Sequence, residues 1–169
     1  PRPKISNSWS YWRKTRVMMN KIDPSSPMIA DGKHHLAIRV YYEDTDSGGV
    51  VYYSNYLKYA ERARTEMLRD IGSEHQAMKA ELGVGFVVRS CNADYQKPAF
   101  LDDLLEVETE ILAVRGASIQ MRQTVTRANE ALVIMEVKLA CMNFDGGAVR
   151  IPEGVRNVMA ELVISKSED

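Results

Sequence analysis

Residues 41 to 53 read YYEDTDSGGVVYY and hold three carboxylates, Glu43, Asp44 and Asp46, ahead of the pair Gly48-Gly49. Acids so spaced admit three readings. A calcium loop would use Asp44, Asp46 and Gly49 as positions 1, 3 and 6 of an EF-hand. Position 5 is then Gly48 and position 12 is Asn55, where a bidentate Glu is required, so the ligand set fails. A helix cap needs only that acids precede a helix, whose N-terminus carries partial positive charge, and it accounts for either Asp alone. It accounts less well for the glycine pair, which lets backbone N–H groups approach a ligand closely. Acyl transfer is the third reading: helix N-terminal amides stabilise an oxyanion while a carboxylate attacks the acyl carbon or activates water.

Other chemistries lack parts. The chain has no G-x-S-x-G, no P-loop and no G-x-G-x-x-G. His34, His35 and His75 fall outside the acidic loop and are expected on the surface. Cys91 and Cys141 belong to no C-x-x-C pair, which excludes a zinc ribbon and predicts reduced, buried thiols of a cytoplasmic protein. No metal and no cofactor are called for. The net charge of -1 provides no general attraction to nucleic acid, and no apolar run approaches the ~20 residues of a membrane span.

The elements that must position the acids follow from periodicity. Leu36 to Glu43 alternates and predicts a strand. From Tyr56, the residues Tyr56, Ala60, Ala63, Met67 and Ile71 recur at helical spacing, and Gly72 stands at a C-terminal cap position. Strands are predicted over 83–95, 104–114, 118–126 and 132–144, the last two joined by a hairpin turn at Arg127-Ala128-Asn129-Glu130. A short helix is expected after Pro152. The fold class is α+β: one long helix against a five- to six-stranded antiparallel sheet, whose free edges invite pairing with a second copy.

Residues 1 to 22 hold six basic side chains and no acid, with Trp9, Tyr11 and Trp12 among them. Residues 1–35 are expected to be a leader, disordered or expression-derived, residues 36–163 the domain, and residues 164–169 a tail.

The segment RVYYEDTDSGGVVYYSNYLKYAERARTEMLRDIG, residues 39 to 72, resembles the signature of hotdog-fold acyl-CoA thioesterases, in the YbgC-like branch of the 4-hydroxybenzoyl-CoA thioesterase family. The likeness continues through ADYQKPAFLDDLLEVETEI and NFDGGAVRIP. It implies a helix wrapped by an antiparallel sheet, hotdog dimers paired into homotetramers, an acyl-CoA substrate and a link to the Tol–Pal cell-envelope system. It also implies Asp46 as the catalytic carboxylate, as nucleophile or general base, and the Tyr53 backbone N–H as polariser of the thioester carbonyl. Tyr42, Gly48, Gly49, Val50 and Tyr52 are implied as pocket residues. Many members of the branch carry His where this chain has Tyr53, and a phenol of ordinary pKa ~10 is no general base near neutrality. Tyr56 and Tyr59 are expected in the core or lining an acyl pocket, and Arg62 and Arg64 as solvated charges paired with Glu61 and Glu66. The same fold would also serve as a hydratase-type or acyl-thioester-binding module.

Overall fold

The computed structural model describes residues 29–164. The expected leader up to residue 28 and the tail beyond 164 lie outside the described residues. The chain runs β1 (Ile29–Ala30), β2 (Lys33–Arg39), a 3-10 turn (Tyr42–Asp44), α1 (Asn55–Asp70), α2 (His75–Ala77) continuing as a π turn (Met78–Leu82), β3 (Val84–Tyr95), β4 (Leu104–Arg115), β5 (Ser118–Arg127), β6 (Glu130–Asn143) and α3 (Glu153–Ile164). Thus β1 and the start of β2 precede Leu36, where the sequence pattern places the start of the domain.

The six strands form one antiparallel sheet in the order β1-β2-β4-β5-β6-β3, so β1 and β3 are its edges. Tight turns set the registers. Asp31 and Gly32 turn β1 into β2 with φ of 51° and 69°, and Ala128 and Asn129 turn β5 into β6 with φ of 49° and 66°. Two consecutive positive φ values give the hairpin a twist matching that of its strands.

Helix α1 is 16 residues long and lies across β2, β4 and β5. Its buried stripe is Tyr56, Tyr59, Ala60, Ala63, Met67 and Leu68. Small Ala60 and Ala63 bring the helix axis close to the sheet, and each fully buried large side chain such as Met67 contributes about 1.5–3 kcal/mol. Facing strands supply Val107, Ile119, Met121, Val125, Met135 and Val137. The helix ends at Gly72, whose φ of +71° fits the left-handed terminus the sequence predicts.

A polar cluster interrupts this apolar contact. Gln123 of β5 is fully buried and donates from Nε2 to the Ala60 carbonyl and to Thr109 Oγ1, both at 2.9 Å. Its Oε1 accepts from Arg64 at 2.7 Å. Arg64 is therefore not a solvated partner of Glu61 or Glu66. Glu61 accepts from Thr65 and Glu66 pairs with Arg69. Two further expectations are corrected. His34 is buried inside β2 with Nε2 3.0 Å from Asp70 Oδ2, and Cys91 is exposed on edge strand β3 while Cys141 is buried.

Candidate active site

The predicted strand ends at Arg39, Val40 still exchanging bonds with Asp102 and Asp103, because the Tyr41 amide is diverted to a side chain. Tyr41 N–H donates to Asp44 Oδ2 at 2.8 Å, and the chain tightens into the 3-10 turn instead of extending to Glu43. Asp44 is buried, and its carboxylate is committed to this turn. Burial first, and the Asp44 charge second, push the neighbouring Tyr59 phenol well above its ordinary pKa.

Asp46 sits in a small hairpin of its own. Asp46 N–H donates to the Val50 carbonyl at 2.9 Å, and Gly49 N–H to the Asp46 carbonyl at 3.0 Å. Gly49 takes φ +78°, which a side chain would strain. Gly48 N–H donates to Asp46 Oδ1 at 2.7 Å, an Asx turn that orients the carboxylate. A Cβ on Gly48 would lie 3.1 Å from that oxygen. The two glycines thus serve the aim of one acid, which is exposed in the isolated chain. Neither Asp caps α1: the N-cap is Ser54, and its side chain makes no capping bond.

The hairpin is tied to the helix start through one carbonyl. Asp44 O accepts Tyr52 N–H at 2.9 Å and the Asn55 side-chain Nδ2 at 2.8 Å, and Asn55 is buried. Val51 N–H donates to the Ala99 carbonyl at 2.9 Å, and Ala99 N–H to the Tyr56 hydroxyl at 2.9 Å, so the β3–β4 connection braces the far side. Between these anchors the amides of Tyr53 and Ser54 have no acceptor among the described residues.

Of the predicted pocket residues, Gly48 and Gly49 are exposed at the hairpin tip and Val50 is half-buried in a bridge to Phe100. Tyr52 and Tyr53 are exposed, their rings 4.8 Å apart. Tyr42 is 81% exposed on the outer side of the 3-10 turn and is the member least drawn into the group. Tyr56 and Tyr59 are core. A cavity of about 230 Å³ opens beside the helix start, lined by Val51, Tyr53, Tyr56, Tyr95, Lys97 and Pro98 among others.

Two residues escaped the sequence reading. Asn55 fastens loop to helix, and its only sequence signal is an amide side chain at a helix start. Tyr95, at the end of β3, donates from its hydroxyl to the Tyr53 carbonyl at 3.3 Å and sets its ring edge-on to Tyr53 at 6.2 Å. Only the strand order brings it there.

The arrangement is a carboxylate on a hairpin tied to the start of a helix whose first amides have no acceptor among the described residues. A family model for the thioesterase-like superfamily matches residues 40–159. An acyl-CoA thioester hydrolase YbgC of Escherichia coli O6:H1 is 49% identical over 107 residues, 63% of this chain and 79% of that protein. An acyl-CoA thioesterase YbgC of Haemophilus influenzae is 46% identical over 115 residues, 68% of this chain and 85% of that protein. The crystal structure of a probable thioesterase from Bartonella henselae superposes with a TM-score of 0.69 at 36% identity, over 71% of this chain and 99% of that one. The chain belongs to the thioesterase-like superfamily.

Proposed function

We propose that this protein hydrolyses acyl-CoA thioesters, water and thioester giving free acid and coenzyme A, with Asp46 as the catalytic carboxylate and the Tyr53 amide as oxyanion donor. The observation that carries the reading is the double tie at the Asp44 carbonyl, which fixes the Asp46 hairpin against the start of α1. A thioester oxygen resting on the Tyr53 N–H gains stabilisation as it becomes an oxyanion, because the donor is already held in place and does not have to reorganise. Asp46 then serves by one of two routes. It attacks the acyl carbon, expels the thiolate and leaves a mixed anhydride for water to open, or it takes a proton from a water that attacks directly. In the general-base route the proton taken from water passes to the departing thiolate. In the anhydride route the thiolate leaves first and is protonated from solvent, and the water that opens the anhydride gives up its proton as the free acid and the Asp46 carboxylate are released.

Asp46→Asn removes the charge and keeps the shape. The expected result is a loss of about a hundredfold or more in kcat, roughly 3 kcal/mol of barrier, with the melting temperature preserved. Thiol release from a panel of acyl-CoAs by wild type and variant is the test, and undiminished hydrolysis by the variant would refute the assignment.

The site works in a homo-oligomer on this reading. Among the described residues, edge strand β3 is 12 residues long and unpaired on its outer side, and Val87 and Val88 there are 47% and 50% exposed. Two such edges paired antiparallel about a two-fold axis satisfy both rows of backbone groups and bury both valine pairs. The pairing sets the Tyr95 end of one copy beside the Val84 end of the other. It thereby brings the Tyr53–Tyr95 cavity toward the apolar cavity of about 410 Å³ lined by His75, Lys79, Phe86 and Phe144 among others. Pairing of such dimers gives the tetramer expected of the branch. Kinship with the YbgC branch also supports cytoplasmic work beside the Tol–Pal envelope system, which co-purification from a host carrying that system tests. Among the described residues no helix is long and apolar enough to cross a membrane.

A further inference from the structure

His35, Glu106 and Glu108 stand together on the sheet face that α1 does not cover. His34 turns inward to Asp70, so its neighbour His35 points to the other face. On β4, Leu105, Val107 and Thr109 are buried toward the helix, which sends Glu106 and Glu108 outward with His35. The register sets His35 directly opposite Glu108, with Ala37 opposite Glu106, so the imidazole faces one carboxylate and lies diagonal to the other. His35 Nδ1 is 2.9 Å from Glu106 Oε1, and one ligating atom from each of the three residues lies within 4.8 Å of the others.

We propose that these three side chains form a binding site for a divalent cation of the zinc class, held by one imidazole nitrogen and two carboxylate oxygens. Bond lengths of about 2.0–2.2 Å place neighbouring ligands of a tetrahedral ion roughly 3.4 Å apart, within reach of a small rotation of either glutamate. A neutral imidazole with two carboxylates offsets the charge of a divalent ion. The ligands rise from paired strands, so little order has to be created on binding. The fourth position opens to solvent.

The present neighbour of Glu108 is Lys33, with Nζ 2.8 Å from Oε2. The ammonium is a resident counter-charge that an ion must displace. Its direct cross-strand neighbour is Glu110. The site lies on the opposite sheet face from Gln123 and α1, so an ion here clips β2 to β4 and takes no part in thioester cleavage.

Titration of the full chain with Co²⁺, followed by its visible absorption, and with Zn²⁺ by calorimetry tests the site. One ion per chain is expected. His35→Ala and Glu108→Gln should each weaken binding by at least about tenfold, whereas His75→Ala should leave it unchanged. Lys33→Ala should tighten it, because the competing cation is gone. Zn²⁺ should raise the melting temperature of wild type and not of His35→Ala, provided circular dichroism shows both folded. Cross-strand ion pairing alone would give no saturable binding in wild type, or equal binding in His35→Ala, and either result overturns the proposal, as does weaker binding in Lys33→Ala.

Discussion

Asn55→Ala tests whether the Asp46 hairpin depends on its tie to the helix. The Asn55 Nδ2 reaches the Asp44 carbonyl at 2.8 Å, and Asn55 is only 6% exposed. Removing that donor costs about 1–2 kcal/mol, the carbonyl keeping its bond from Tyr52 N–H at 2.9 Å. Alanine returns roughly 0.5 kcal/mol as the better helix former. The net loss is about 1 kcal/mol, or a fall of roughly 2–4 °C in melting temperature for a chain of this size. The kinetic effect should be larger than the thermal one. The same carbonyl sets the distance between the Asp46 hairpin and the Tyr53 amide, and a misplacement of about 1 Å costs on the order of a hundredfold. We therefore expect kcat to fall by about 10- to 100-fold, a barrier increase of roughly 1.4–2.7 kcal/mol. Thiol release at saturating acyl-CoA measures kcat, and differential scanning calorimetry measures the fold. A variant that melts lower as expected but keeps kcat within about twofold would refute the idea that this tie positions the site.

Gly48→Ala puts a methyl 3.1 Å from Asp46 Oδ1 and should turn the carboxylate off its amide, lowering kcat by about tenfold or more with little change in melting temperature; an unchanged rate would show that the Asx turn does not aim the acid. Burial holds the His34 imidazole below its ordinary pKa, against the pull of Asp70. The folded state therefore favours the neutral ring, and stability should be complete above about pH 6.5 and decline as pH falls below it, since the unfolded chain takes up the proton first. His34→Gln should flatten that decline, measured as urea midpoints at several pH values, and parallel profiles would count against it. Val88→Lys places a charge on the free β3 edge and should shift the protein toward monomer in analytical ultracentrifugation. An unaltered sedimentation profile would move the interface elsewhere.

Local rules made most of the elements legible. The alternation of Leu105, Val107, Thr109 and Ile111 against Glu106, Glu108 and Glu110 marked β4, and the stripe from Tyr56 to Met67 marked the helix. The turn at Ala128-Asn129 was legible as a polar break between two strand-like runs, although Ala at positive φ is not a residue that signals such a turn. The misreadings share a cause, which is a partner distant in sequence or a side chain that captures backbone. Tyr41 to Glu43 has strand-forming composition, but the Asp44 carboxylate takes the Tyr41 amide. His34 was expected on the surface because its partner Asp70 lies 36 residues away. Arg64 was expected to pair along its own helix, whereas its acceptor Gln123 is 59 residues further on. At the proposed site, Asp46 and its glycines come from the resemblance, while Tyr95 could be placed only once β3 was known to pair with β6.

The Gln123 amide acts as a detent on α1. A slip of one helical turn, about 5.4 Å, would keep an apolar stripe facing the sheet and cost little in hydrophobic contact. It would, however, carry Arg64 away from the buried Gln123 Oε1, leaving that acceptor without its charged donor at about 1–3 kcal/mol. Ala60, the residue that Gln123 grips, lies two turns down from Tyr53, about 10 Å along the axis. The depth at which the helix presents its first amides is thus gauged by a side chain in the middle of the sheet, and substitutions at position 123 should detune the site without touching it.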